Sequence, residues 1–231
     1  MQPNYFVERL RYIDETIDSR LAKLRDQPDV YKKPQAFLRA NLRERCEQIF
    51  LGYSLGESLG QLAKRFPAVV EAYEAHVQCP GYVPHDFADL DRYLVSLWLV
   101  SFGIIFDVDD ELWRRLLVCI GNEGRDALYE RLVEVRTPGR KAAPGLVHSK
   151  IFQPLFEAIA AEGERRAELI RQYLGNWYKA LKNAYWIDTH ARSDGGFFGY
   201  WAVEVAGVVS AFDMDDSSFR GMPYYPRDLV A

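Results

Sequence analysis

Two acidic pentapeptides, Phe106-Asp107-Val108-Asp109-Asp110 and Phe212-Asp213-Met214-Asp215-Asp216, are the places where this chain could do ionic chemistry. Paired carboxylates bind Mg²⁺ when further ligands converge on one point. Each pentapeptide also stands where one helix should stop and another element begin, and Asp is favoured at helix caps and first turns. Asp109-Asp110-Glu111 before Leu112-Trp113 fits such a start, so capping outweighs metal binding. A third use is to expose carboxylates to a basic partner. The four histidines, His76, His85, His148 and His190, are scattered. No His-Glu-x-x-His, Cys-x-x-Cys, Gly-x-Ser-x-Gly, P-loop or Gly-x-Gly-x-x-Gly pattern occurs.

Glu204 is the other chemical candidate, the one charged residue between positions 197 and 212. A carboxylate in so apolar a segment must find a partner or give up its charge. A raised pKa and a catalytic role are one reading. A residue held by hydrogen bonds or an Arg that fixes the packing is the better one.

Helical periodicity supplies the elements that must position these groups. Phe6, Leu10, Ile13, Ile17, Leu21 and Leu24 predict an amphipathic helix over 4–26. Pro28 and Pro34 bracket a loop. A second helix is expected from Gln35 to Arg65, with Gly52, Gly56 and Gly60 as a bare face for a neighbour. Further helices are expected at 67–77, 86–105, 109–120, 123–135, 149–161, 163–186 and 197–212, with Gly195-Gly196 as a hinge into the last. No run of strands with turn signals appears. The fold class is therefore all-α, a bundle of about eight to ten helices. Pro138, Gly139, Pro144 and Gly145 mark 136–148 as a linker between a region 1–135 and a region 149–231. The two pentapeptides lie 106 residues apart, which suggests two related helical units.

Net charge is −4 over 231 residues, and its distribution is uneven. Residues 81–135 carry 5 Lys/Arg against 11 Asp/Glu, a net −6, while the flanking stretches are each near neutral. Such a field repels nucleic acid and attracts a basic partner, and charge alone fits a simple solvated acidic surface equally well. The odd number of cysteines, Cys46, Cys79 and Cys119, points to a reducing compartment. The longest apolar run, 93–106, is too short to span a bilayer. With no signal-peptide layout at the start, a soluble, cytoplasmic protein with no membrane contact is expected.

The last third carries a resemblance. Trp177-Tyr178, Trp186-x-x-x-His190, Gly199-Tyr200-Trp201-x-x-Glu204, Asp215-Asp216-Ser217-Ser218 and Tyr225-Pro226-x-Asp228 are similar in order and spacing to the C-terminal region of the PoNi family. These are bacterial immunity proteins that neutralise PoNe-type nuclease toxins. Gly52-Tyr53-Ser54-Leu55-Gly56 resembles the small-residue signature of that family's N-terminal region. The resemblance implies a non-enzymatic inhibitor without cofactor, which binds a cognate DNase toxin of a contact-dependent or type VI system and no nucleic acid itself. Gly52, Tyr53, Gly56, Trp177, Trp186, Tyr200, Trp201, Glu204, Asp215 and Asp216 then read as determinants of the fold. Asp107, Asp109, Asp110, Glu111, Glu123 and Asp126 are expected to face the toxin, on the strength of the −6 balance around them. Two other classes stay open: a metal-dependent all-α hydrolase using the Asp-rich turns, and a helical scaffold without a toxin partner.

Overall fold

The computed structural model of the protein describes residues 3–27, 33–192 and 196–230. Pro28 and Gly195, expected at a loop and a hinge, lie outside the described residues. Among those described there are ten α-helices, two short 3₁₀ helices and no strand, so the chain is an all-α helical bundle.

The chain divides into two compact units that alternate along the sequence. The first comprises residues up to Pro84, Val108–Cys119 and Gly196–Gly199. It contains α1 (Pro3–Asp26), α2 (Pro34–Ser54), α3 (Leu59–Ala63), α4 (Phe66–Val77) and nearly all of α6 (Asp110–Ile120). The second holds α5 (Leu90–Ile105), α7 (Ala127–Glu134), α8 (Ser149–Ala160), α9 (Gly163–Ala180) and α10 (Val203–Ala211). The stretch 136–148, expected as a linker, instead runs inside the second unit. Side chains tie it down: the Lys141 amide donates to Glu123 (2.9 Å) and the Val147 amide to Asp126 (2.8 Å).

In the first unit α2 packs on α1 and α4. The contact of α1 with α2 is more ionic than its apolar stripe suggests. Arg20 pairs with Glu44 and donates to Asn41 (3.2 Å), and Gln48 donates to Asp14 (2.8 Å). Ile13 and Ile17 are buried as expected, whereas Leu21 is 43% exposed and stands outside the core. The second helix does not run to Arg65. It stops at Ser54 because Gly56 takes a left-handed conformation (φ 82°), and the amide of Glu57 turns back to the Gly52 carbonyl (3.0 Å). The three glycines therefore form no common face. Only Gly52 is closely approached, by the side chains of Glu57 and Leu62.

In the second unit α5 and α10 are paired, as are α8 and α9. Asp89 starts α5 by accepting from the amides of Asp91 (3.1 Å) and Arg92 (3.2 Å), four residues later than the sequence suggests. Three further boundaries move for physical reasons. α7 starts at Ala127, not near 123, because Gly124 is left-handed (φ 73°) and buried Asp126 caps it. α9 ends at Ala180 instead of 186, and the amide of Tyr185 then donates to the Asp91 carboxylate (2.9 Å). The last helix begins at Val203 instead of 197, the amide of Ala202 donating to the carbonyl of Tyr224 (2.8 Å).

The two acidic pentapeptides share one backbone. Phe106 and Phe212 close α5 and α10, and Asp107 (φ 44°) and Asp213 (φ 46°) follow in the left-handed region. Val108 and Met214 are buried next, and Asp109 and Asp215 accept amide protons.

Candidate functional site

Five of the six acidic residues expected to meet a partner are exposed: Asp107, Asp109, Asp110, Glu111 and Glu123. They are not five free charges. Asp109 accepts from the amide of Leu112 (2.8 Å) and caps α6. Glu111 is paired with Arg114 (2.7 Å), whose hydrogen bond holds its carboxyl below the usual range. Glu123 is 52% exposed, accepts the Lys141 amide, and lies 4.0 Å from Arg140. The structure divides the set between the units, with Asp109, Asp110 and Glu111 in the first and Asp107 and Glu123 in the second.

Asp126 corrects the expectation. It is 0% exposed, so no partner can reach it in the folded protein. One carboxylate oxygen accepts from the Tyr129 amide (3.0 Å) and the Tyr93 hydroxyl (2.9 Å), and the other accepts from Val147. It caps α7 and pins the 140s to α5. Beside it, Glu130 accepts from the Gly124 amide (2.8 Å) and from Arg140 (2.6 Å), which also lies over the Tyr129 ring. Arg140 and Glu130 escaped the sequence reading because an Arg in a Pro/Gly-rich stretch reads as solvated.

Glu204 lies in the first turn of α10 and is fully buried. Its Oε1 accepts from the Tyr173 hydroxyl (2.8 Å) and from the Trp177 indole N–H, both on α9. Its Oε2 has no hydrogen-bond partner among the described residues. Burial raises its pKa; its own backbone amide and the donors Tyr173, Trp177 and Trp98 oppose that rise without cancelling it. Removing a carboxylate from water costs several kcal/mol, and no ion pair to Glu204 occurs among the described residues to offset that cost. Burial likewise pushes the Tyr173 and Tyr93 phenols well up, and the neighbouring carboxylates Glu204 and Asp126 add to it.

Of the family-like residues of the last third, Trp177 donates to this carboxylate and carries further rings on its indole. The Trp177 and Trp186 rings stack (5.1 Å), and Tyr224 lies against Trp177 (5.2 Å). Tyr200 packs on Trp186 (5.7 Å) while its hydroxyl meets His190 (2.6 Å). Trp201 is half-buried just before α10. Asp215 accepts from the amide (3.0 Å) and hydroxyl (2.9 Å) of Ser217. Asp216 accepts from Tyr225 (2.9 Å) and Arg220 (2.6 Å). In the first unit, Tyr53 is half-buried near the end of α2. The acidic turns thus spend carboxylates on turns and pairs. Among the described residues no three His, Cys, Asp or Glu side chains converge as a metal site requires.

These features define an all-helical protein with a polar-aromatic core and outward-facing acidic turns. Residues 5–118 match the family described as PoNe immunity protein (PoNi), N-terminal, and residues 124–229 match PoNe immunity proteins (PoNi), C-terminal. The chain belongs to the PoNe immunity protein family. Among solved structures it is similar to protein PA2201 from Pseudomonas aeruginosa, at a TM-score of 0.74 and 17% identity, over 99% of this chain and 87% of that one. At that identity the likeness shows the fold alone. No curated protein matches the chain.

Proposed function

We propose that this immunity protein binds a cognate PoNe-type DNase and blocks it in a stoichiometric complex, using exposed carboxylates of the 107–123 stretch. The observation that carries the reading is the match to both halves of the family, over residues 5–118 and 124–229. The −6 balance of 81–135 supports the choice of contact residues. A DNase needs a cationic cleft for phosphates, and carboxylates on a helical surface can occupy such a cleft in place of DNA. Attraction between the two would speed encounter, which suits protection of a cytoplasm into which a neighbouring cell delivers the toxin by contact or type VI secretion. Among the described residues no helix is long and apolar enough to cross a membrane. Tight binding also needs a buried interface of roughly 1,600 Å² with aromatic anchors.

The test uses the nuclease encoded beside this chain's gene. Co-expression should rescue cells from it, and the purified pair should form a one-to-one complex. Reversing Asp107, Asp110 and Glu123 to Lys should slow association by about tenfold or more at low salt and flatten its salt dependence. Unchanged association kinetics would remove the acidic residues from the interface while leaving the immunity function standing. Failure to rescue would remove the function.

A further inference from the structure

We propose that Glu204 carries a proton in the folded protein at neutral pH, and that this proton helps seat α10, so that losing it loosens the helix. The inference is independent of any toxin and rests on the surroundings of one side chain. Glu204 is fully buried, and the polar groups given to Oε1 are a phenol and an indole, Tyr173 and Trp177, neither of which brings positive charge. Its second oxygen has no hydrogen-bond partner among the described residues.

On the elements packed against α10, the charged groups nearest in sequence to its contacts have other partners, and on α9 Arg171 pairs with Glu164 at the far end of that helix. On α5, Arg92 pairs with Asp89 (3.4 Å) at the start of the helix, and Tyr93 donates to Asp126. On α7, Arg131 lies over the Phe212 ring, at the opposite end of α10 from Glu204, while Glu130 is paired with Arg140. On α9, Tyr173 and Trp177 are the donors already named. An ionised Glu204 would therefore sit in the core with only neutral donors, its own backbone amide, Tyr173, Trp177 and Trp98, and with no ion pair to a cation among the described residues.

The geometry agrees with the direction of its titration, which burial moves up from the ordinary value of 4.5. A carboxyl with a raised pKa binds its proton more tightly folded than unfolded. Its contribution to stability is complete below about 4.5 and is lost as pH rises through the folded value. Loss of the proton strains the first turn of α10, where Glu204 is anchored to α9, and α10 is the helix paired with α5.

The experiment compares thermal unfolding of the full chain and of Glu204→Gln from about pH 4 to about pH 9, because glutamine keeps the accepting oxygen and cannot ionise. The midpoint of the variant should rise relative to wild type as pH increases, the gap widening until the folded pKa is passed. Infrared spectra of the wild type at neutral pH should contain the carbonyl stretch of a protonated carboxyl. That band decides the matter alone if Glu204→Gln fails to fold. A gap that stays constant with pH, or a neutral-pH spectrum without the band, overturns the proposal.

Discussion

Asp126 and Glu204 are both buried carboxylates, yet their surroundings are opposite. Asp126 collects two backbone amides and a phenol across both oxygens, whereas Glu204 loads a single oxygen. Removing the first carboxylate leaves the Tyr93 hydroxyl unsatisfied inside the protein, releases the amide of the exposed Val147 and strips the cap from α7. Asp126→Ala should therefore cost about 2–4 kcal/mol, combining a cap loss with a buried donor left unpaired, in urea unfolding. Tyr93→Phe, which leaves both backbone donors on Asp126, should cost only about 1 kcal/mol. Comparable losses from the two variants would mean that the carboxylate does not organise this corner. The sequence showed one of these residues clearly and misplaced the other. Glu204 stood out because its neighbours are apolar. Asp126 sits among other acids, and a charge count over a stretch does not say which way one side chain points. Asp126 followed by Ala127-Leu128-Tyr129 is the same kind of capping start that was legible at Asp109.

At the scale of elements, periodicity located nearly every helix, and the errors fall at ends fixed by distant groups. The carbonyl of Tyr224 and the carboxylate of Asp91 decide where α10 begins and where the chain after α9 goes, and neither is readable within a local window. Helix contacts were equally hidden. The glycine row expected in the second helix suggested a close approach of another helix, while the close helix–helix approach is between Gly207 of α10 and Ser101 of α5. A Cβ on Gly207 would stand 2.9 Å from the Ser101 Cα, a backbone atom that cannot step aside. Those two positions are 106 residues apart, the same interval as the acidic pentapeptides that close the two helices. Intrinsic propensity alone favours Ala over Gly by about 1 kcal/mol inside a helix. At Gly175, exposed on α9 with nothing within 4 Å of a new Cβ, that gain should appear as a higher melting temperature for Gly175→Ala. At Gly207 overpacking should reverse the sign, and Gly207→Ala should lose roughly 1–3 kcal/mol. A neutral or stabilising Gly207→Ala would show that α5 and α10 are not in close backbone contact.

Over the whole molecule, the all-α class, the uneven charge and the family resemblance were open to reading, because each depends on many residues at once. The division of the chain was not, since a Pro/Gly-rich stretch looks like a linker whether it joins two bodies or crosses one. Here the residues on either side of 136–148 share a core. α5 and α7 come before it, α8 and α10 come after it, and α5 packs on α10 as α7 does on α8. The first unit in turn takes up 196–199, where Phe198 meets Phe50 (5.2 Å) and its carbonyl accepts from Ser54 (3.1 Å). A fragment of residues 149–231 would therefore expose the faces of α8 and α10 that α5 and α7 cover, and would leave Asp126 and Tyr93 behind. Expressed alone, it should lack the near-ultraviolet circular dichroism of fixed aromatic rings and unfold without a cooperative transition. Cutting the intact chain once between Pro138 and Gly139 should leave both pieces associated with a sharp thermal transition, because the surfaces that hold them remain whole. If the isolated fragment instead kept fixed tryptophan signals and melted cooperatively, the pairing of α5 with α10 could not be what sustains the second unit.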